Sequence, residues 1–400
     1  MSSLTLSKLR QAQSLLAETG LDAWLIFVRE TSESGDPCLP LILEGGLTWQ
    51  SALIVLPSKT LAVVGSYDAD PLISTGEWDE VIPYVQDVGP DLLKALNDNL
   101  QPGAKIGINV SPSDVKADGL THGMWLNLQQ ILAGTPWLEG LTSAESLLFR
   151  LRGQKTQEEL NLILAAIAEG DKIFADFPSH AAKGLTELEL YNLVQEWMDT
   201  KGLGYSWDRH GDPIVNSGPD SMIGHGRPSA SIEVSPGHIL HMDLGVIKEG
   251  YSSDIQRCWM VVSDESEGVP EDVQLGFEAV YGSISAAAEV LKPGVEGWQV
   301  DAAARSFLIG KGYPEYHHAV GHQVGRAAHD GGAILGPAWP RYGNTPKIPV
   351  REGEIYTLEL GVTLPGRGYL GLEEMVVVTA DGCRFISERQ TDMPLVVAAP

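Results

Sequence analysis

Apolar and polar positions follow one rhythm in the first part of this chain and another in the rest. Early on, short continuous apolar runs at Leu21–Val28, Ser51–Leu56, Leu61–Gly65 and Lys105–Val110 predict buried strands. Helix-period stretches stand among them, at Asp91–Leu100 and around Met124–Leu132. Leu4, Leu9, Leu15 and Leu16 are spread among polar residues as on one face of a further, N-terminal helix. Strands and helices that alternate in this way predict an α/β domain.

A break falls near Arg150–Gln157. Thr156-Gln157-Glu158-Glu159 then reads as a capping box for a helix running to about Phe174. Thr186 with Glu189 is a second box, opening a helix that stops before Gly202. Helices are also expected over Glu271–Leu291 and Trp298–Gly312, with strand pairs within His238–Val262 and Glu354–Thr379. Gly331–Pro349 reads as a long loop. Hairpins mixed with helices predict an α+β domain with an antiparallel sheet. At 400 residues the chain fits two domains, set at 1–155 and 156–400.

The alternation also locates candidate chemistry. Leu240, Met242, Leu244 and Val246 share one face of a strand, and His241 and Asp243 share the other. With a four-residue turn from Ile247 to Gly250, Asp254 on the returning strand falls opposite Asp243. Opposed side chains in an antiparallel pair have Cβ atoms ~4.5–5.5 Å apart, so two carboxylates there repel unless a cation separates them. A solvated hairpin face is the alternative at this point. The second hairpin repeats the arrangement: Tyr356, Leu358, Leu360 and Val362 form an apolar face, and Glu359 and Glu373 are symmetric about Gly366. Glu373 and its neighbour Glu374 must point to opposite faces, so Glu373 is expected inside and Glu374 outside. Glu within such apolar strands is costly unless neutralised.

Composition sharpens this picture in three ways. The chain has 27 Lys+Arg against 53 Asp+Glu, a formal net charge of -26, which counts against nucleic acid or an anionic membrane as partner. Eight of the ten His lie between His210 and His329, so the chemistry is expected in the second domain. Cys38, Cys258 and Cys383 are isolated, which fits a reducing compartment and argues against a thiolate cage. Met1–Gly20 has no apolar core of a signal peptide, and no apolar run reaches about 18 residues, so a cytoplasmic chain is expected.

A lone His is more often structural than a ligand. Here His225, His318, His322 and His329 accompany four carboxylates in one domain. Gly321 and Gly325 around His322 indicate close backbone approach rather than a helical zinc motif. An imidazole with several carboxylates is a hard, oxygen-rich set that suits Mn²⁺, Mg²⁺, Co²⁺, Fe²⁺ or Zn²⁺. Four carboxylates exceed the needs of one catalytic ion and fit a two-metal centre.

These positions, in this order, resemble the pita-bread metallopeptidases, which include methionine aminopeptidase, prolidase and aminopeptidase P. The matching text is Asp243-x-Gly245, Gly250-Tyr251-x-Ser253-Asp254-Ile255, His318-x-x-Gly321-His322-x-x-Gly325, Glu359 and Glu373. The α/β domain before it is similar to that of prolidase, aminopeptidase P and creatinase, so the resemblance covers nearly the whole chain. It implies a peptidase that hydrolyses Xaa-Pro bonds of dipeptides or peptide N-termini. Two divalent ions are implied, Mn²⁺ first, with Co²⁺, Zn²⁺, Fe²⁺ or Mg²⁺ as alternatives. Asp243 would chelate one ion, His322 and Glu359 the other, and Asp254 and Glu373 would bridge, with a hydroxide between the ions as nucleophile. Glu359 would also shuttle protons. His225 and His329 would steady the substrate carbonyl, His318 would line the pocket, and the chain would be a homodimer acting on small peptides.

Two departures stand out. Glu359-Leu360-Gly361 replaces the family's common Glu-Pro-Gly, and Gly371 stands where prolidase and aminopeptidase P commonly carry Arg, with Arg367 or Arg341 as substitutes. Competing readings are a creatinase-like amidinohydrolase and a non-catalytic pita-bread module that binds proteins. Both relatives have altered ligand positions, whereas all five are present here.

Overall fold

Ala23–Val28 is apolar at all six positions, and a strand without a polar face needs cover on both sides. It receives that cover. Trp24, Ile26 and Val28 enter one core with Leu9, Leu16 and Leu53, while Ala23, Leu25 and Phe27 enter another with Leu92, Leu96 and Leu128. The structure, a computed structural model, describes residues 3–224 and 226–398. The chain divides into two compact units, Met1–Thr156 and Gln157–Pro400.

The first unit runs α1 (Leu4–Thr19), β1 (Ala23–Val28), α2 (Leu39–Ile42), β2 (Ser51–Leu56), β3 (Lys59–Gly65), α3 (Ser66–Thr75), β4 (Glu80–Tyr84), α4 (Val88–Asn99), β5 (Ile106–Ile108), α5 (His122–Leu132), β6 (Leu141–Ser143) and α6 (Glu145–Gly153). Its six-stranded sheet has the order β4-β3-β2-β1-β5-β6. The pairings β1–β2 and β2–β3 are antiparallel, and β3–β4, β1–β5 and β5–β6 are parallel. The sequence pattern missed α3, which carries Pro71 inside it, and α6, which fills part of the expected break.

The second unit comprises α7 (Gln157–Ala181), α8 (Glu187–Thr200), β7 (Gly204–Tyr205), β8 (Ile214–Ser217), β9 (Ile239–Leu244), β10 (Val246–Lys248), β11 (Tyr251–Ser252), β12 (Ile255–Val262), α9 (Glu271–Val290), α10 (Gly297–Gly310), β13 (Ile355–Leu364), β14 (Gly368–Val378), β15 (Cys383–Phe385) and β16 (Leu395–Val397). The main sheet has the order β13-β14-β12-β9-β8, antiparallel throughout that path, with β16 parallel to β12. Leu358, Leu360 and Val362 of β13 share a core with Phe277, Val280 and Ile284 of α9 and Val300, Ala304 and Leu308 of α10. Across the sheet, Phe174 and Phe177 of α7 pack on Trp259 of β12, with ring centroids 6.3 and 5.3 Å away. Both faces of the central strands are therefore covered.

The capping box at Thr186 forms in full: its side chain accepts from Glu189 N, and the Glu189 carboxylate accepts from Thr186 N at 2.9 Å. The next residue, Glu187, is buried and accepts from Ser217 N at 2.8 Å, Ser229 N at 2.9 Å and the Ser221 hydroxyl. The cap thus anchors a helix that ties down the loop after β8. Thr186→Ala is expected to destabilise this unit by about 1 kcal/mol, seen as a lower denaturation midpoint; an unchanged midpoint would contradict that role.

Candidate metal centre

The second hairpin has the register its symmetry predicts. Glu359 pairs with Glu373 across β13 and β14, and the turn Pro365-Gly366-Arg367 closes on the pair Leu364–Gly368. The first hairpin does not. Lys248 pairs with Tyr251, leaving a two-residue turn in which Glu249 and Gly250 have φ of 51° and 80°. Both are left-handed, as a type I′ turn requires. Asp243 therefore pairs with Gln256, and Asp254 stands at the break between β11 and β12. A slip of two residues preserves the face, so the two aspartates remain neighbours, diagonally rather than directly opposed.

His322 arrives by a different route. Segment 320–324 is extended and runs beside β13: Glu359 N donates to Val320 O at 2.7 Å and Thr357 N to His322 O at 2.9 Å. The approach needs Gly321, because a Cβ there would lie 2.1 Å from Thr357 O. His322 Nδ1 bonds to Ala328 O at 3.1 Å, which leaves Nε2 facing the carboxylates. It lies 3.5 Å from Glu359 Oε1, 3.7 Å from Asp254 Oδ2 and 3.9 Å from Glu373 Oε1. Asp254, His322 and Glu373 each offer a ligand atom within 4.8 Å of the others.

The electrostatics are those of a charge trap. Burial, then the neighbouring carboxylates, push Asp243, Asp254 and Glu373 well above the usual carboxylate range. Burial pushes Glu359 up to about 7 and drives His322 down to about 3. Among the described residues, Asp243 Oδ1 and Glu373 Oε1 are buried without a hydrogen-bond partner. Buried anionic oxygens left without a partner are costly, and a cation is the partner that this donor set fits. The residues present thus suit hard divalent ions, and Asp243, Asp254, His322, Glu359 and Glu373 are the ones that would hold them.

The other candidates are more scattered. His329 is exposed and its ring meets that of His322 edge-on at 4.3 Å. His318 is exposed against Tyr316, and its carbonyl accepts from Arg305 at 2.9 Å. His225 lies outside the described residues. Arg367 cannot stand in for the Arg absent at Gly371. It sits at the turn, six residues before Glu373, and pairs with Asp272 at 3.0 Å. Arg341 is engaged too, stacked on Trp339 and Tyr342 and donating to His317 O.

Glu374 corrects the expectation of an outward residue. It points away from Glu373 yet is buried, in an ion pair with Arg257 at 3.1 Å, and it accepts from Ser387 and from Gln390 N. Its face is not solvent, because α7 and the C-terminal segment cover it.

Three polar residues next to the cluster were missed. Asp212 is buried, accepts from Ser206 N at 2.9 Å and Gly245 N at 3.3 Å, and is pushed up to about 8 by burial. His241, pushed down to about 4 by burial, and Gln256 lie on the same face as Asp243 and Asp254. The sequence carried a signal for these two, since i and i+2 in a strand share a face.

Residues 161–380 match the model of metallopeptidase family M24. The chain is 24% identical to the uncharacterized peptidase YqhT of Bacillus subtilis over 395 residues, covering 96% of this chain and 99% of that one. It is 28% identical to the Xaa-Pro dipeptidase of Pyrococcus horikoshii over 240 residues, 60% of this chain and 64% of that one. Among solved structures, an Xaa-Pro dipeptidase from Bacillus anthracis superposes with a TM-score of 0.73 at 21% identity, over 98% of this chain and 99% of that one.

Proposed function

Because the chain belongs to metallopeptidase family M24, we propose that it is a dinuclear metal-dependent peptidase that hydrolyses Xaa-Pro bonds of dipeptides or peptide N-termini. Its fold is the pita-bread fold of that family. The observation that carries the proposal is the convergence of Asp254, Glu359 and Glu373 on His322 Nε2, with the charge of Asp243 acting on Asp254 and, among the described residues, Asp243 Oδ1 and Glu373 Oε1 unpartnered. In this reading residues 156–400 are the catalytic domain and 1–155 a creatinase-like N-terminal domain. The enzyme works in the cytoplasm as a homodimer, with Mn²⁺ as the first candidate ion.

Two bound cations would supply an activated water and stabilise the negative charge that develops on the scissile carbonyl. The chain supplies the rest. Asp243, Asp254, His322, Glu359 and Glu373 hold the ions. Glu359 also carries protons: its side chain is 19% exposed, against 7% for Asp254 and 2% for Glu373, so it alone of these three reaches solvent appreciably. His329, exposed beside His322, orients the substrate carbonyl together with His225, and His318 lines the pocket.

The test is product analysis on Xaa-Pro dipeptides and Xaa-Pro-Xaa tripeptides, side by side, with metal-stripped protein reloaded with Mn²⁺ or Co²⁺. Release of the N-terminal residue, abolished by chelator and restored by metal, is the expected result. Full metal loading with no turnover of either substrate would overturn the proposal, and metal-independent hydrolysis of creatine would replace it.

A further inference from the structure

Gln256 occupies an unusual position in this cluster. Its amide nitrogen donates to Glu359 Oε2 at 3.1 Å and to Glu373 Oε2 at 3.0 Å. An amide NH₂ carries two hydrogens, so it can serve both carboxylates at once. The oxygens it leaves are the ones nearest His322 Nε2: Glu359 Oε1 at 3.5 Å and Glu373 Oε1 at 3.9 Å. Without such a tether each carboxylate could rotate and exchange its two oxygens.

The amide is itself oriented. Gln256 Oε1 lies 3.1 Å from His241 Nε2, and since an amide oxygen only accepts, this arrangement puts the proton of the neutral ring on Nε2. The opposite orientation would turn the amide oxygen towards two carboxylates. His241 is buried, with the edge-on ring of Tyr369 5.0 Å away. Gly371 provides the room. A Cβ there would fall 2.8 Å from Gln256 Oε1, 3.1 Å from His241 Nε2 and 2.5 Å from Tyr369 Cε1. A side chain at 371 and this His241–Gln256 pair exclude each other.

We propose that Gln256 is a positioning residue of the metal centre: held by His241 in the space that Gly371 leaves, its amide fixes which oxygen of Glu359 and of Glu373 is presented to the cations. The inference rests on the proposed metal centre and deepens it. Residues that orient a metal's ligands without touching the metal typically change affinity by about 10–100-fold when replaced.

The experiment is calorimetric titration of Mn²⁺ into metal-stripped full-length protein, for wild type, Gln256→Met, His241→Phe and the double variant. Methionine keeps the volume of Gln256 without its hydrogen bonds, and phenylalanine keeps a ring against Tyr369. Gln256→Met is expected to bind Mn²⁺ about 10–100-fold more weakly while the metal-free protein melts close to wild type. His241→Phe is expected to weaken binding less, and the double variant no more than Gln256→Met, because His241 acts through Gln256. Equal Mn²⁺ affinity in wild type and Gln256→Met overturns the inference alone, as does a double variant whose losses add. A wild type that binds no Mn²⁺ overturns the metal centre itself. Should Gln256→Met not fold, His241→Phe decides: unaltered affinity there rejects the inference.

Discussion

Asp254→Asn is expected to lower kcat/KM on Xaa-Pro substrates by roughly 10³-fold, about 4 kcal/mol of lost charge stabilisation, and at the same time to make the metal-free protein more stable. The two effects have one cause. Asp254 is buried beside Asp243 and Glu359, and burial together with those charges raises its carboxyl well above the ordinary range. Without cations the group is a liability, because it must either hold a proton that the unfolded chain releases or bear a charge in a crowded site, and an amide of the same shape does neither. With cations the same charge is the ligand, and the amide oxygen binds a hard ion far less well. Stability and function are opposed at this position. The check is a pair of measurements: steady-state kinetics with saturating Mn²⁺, and thermal unfolding in excess chelator. Retained activity, or a metal-free variant that melts below wild type, would contradict the account.

The second hairpin was legible because its turn announces itself. Pro365-Gly366 centres two strands of alternating residues, and the register follows by counting outward to Glu359 and Glu373. The first hairpin misled the count because its turn places Glu249 at φ 51°, a conformation a glutamate seldom adopts. The pattern offered no sign of that, yet the error was two residues and left both aspartates on one face. His322 was legible through Gly321, whose missing side chain admits the Thr357 carbonyl. Glu374 was not, because its burial is decided by α7 and by Ser387 and Gln390, which are distant in sequence. Gln256 and His241 were visible as same-face neighbours of the aspartates but carried no chemistry until a structure showed what they touch. Local rhythm reports which face a residue takes, and tertiary cover decides whether that face is wet.

The metal-free protein is expected to lose stability as pH rises from about 6.5 to about 8, and saturating Mn²⁺ is expected to reduce that loss. The sign follows from proton counts. Burial pushes Glu359 up to about 7 in the fold and Asp212 up to about 8, far above the usual carboxylate range, and Asp243, Asp254 and Glu373 are raised well above it too. Over this interval the folded chain holds protons that the unfolded chain has already released, so each unit of pH favours unfolding. At about 1.4 kcal/mol per unit for each fully held proton, Glu359, which gives up its proton near the start of the interval, and Asp212 together contribute roughly 2 kcal/mol of loss, and the other three act in the same direction. Below about 6.5 the trend is blunted. His322 and His241, held down to about 3 and about 4, stay neutral in the fold while the unfolded imidazoles take up protons, and this opposes the carboxylates. Above 6.5 that opposition ends, which makes the upper interval the clean one. Cations reverse the balance, because bound ligand carboxylates are already ionised and binding strengthens as protons leave. Denaturant unfolding of the protein in chelator and in Mn²⁺, at steps between pH 6.5 and 8, should give diverging stabilities. Parallel curves would mean that these carboxylates do not meet a cation.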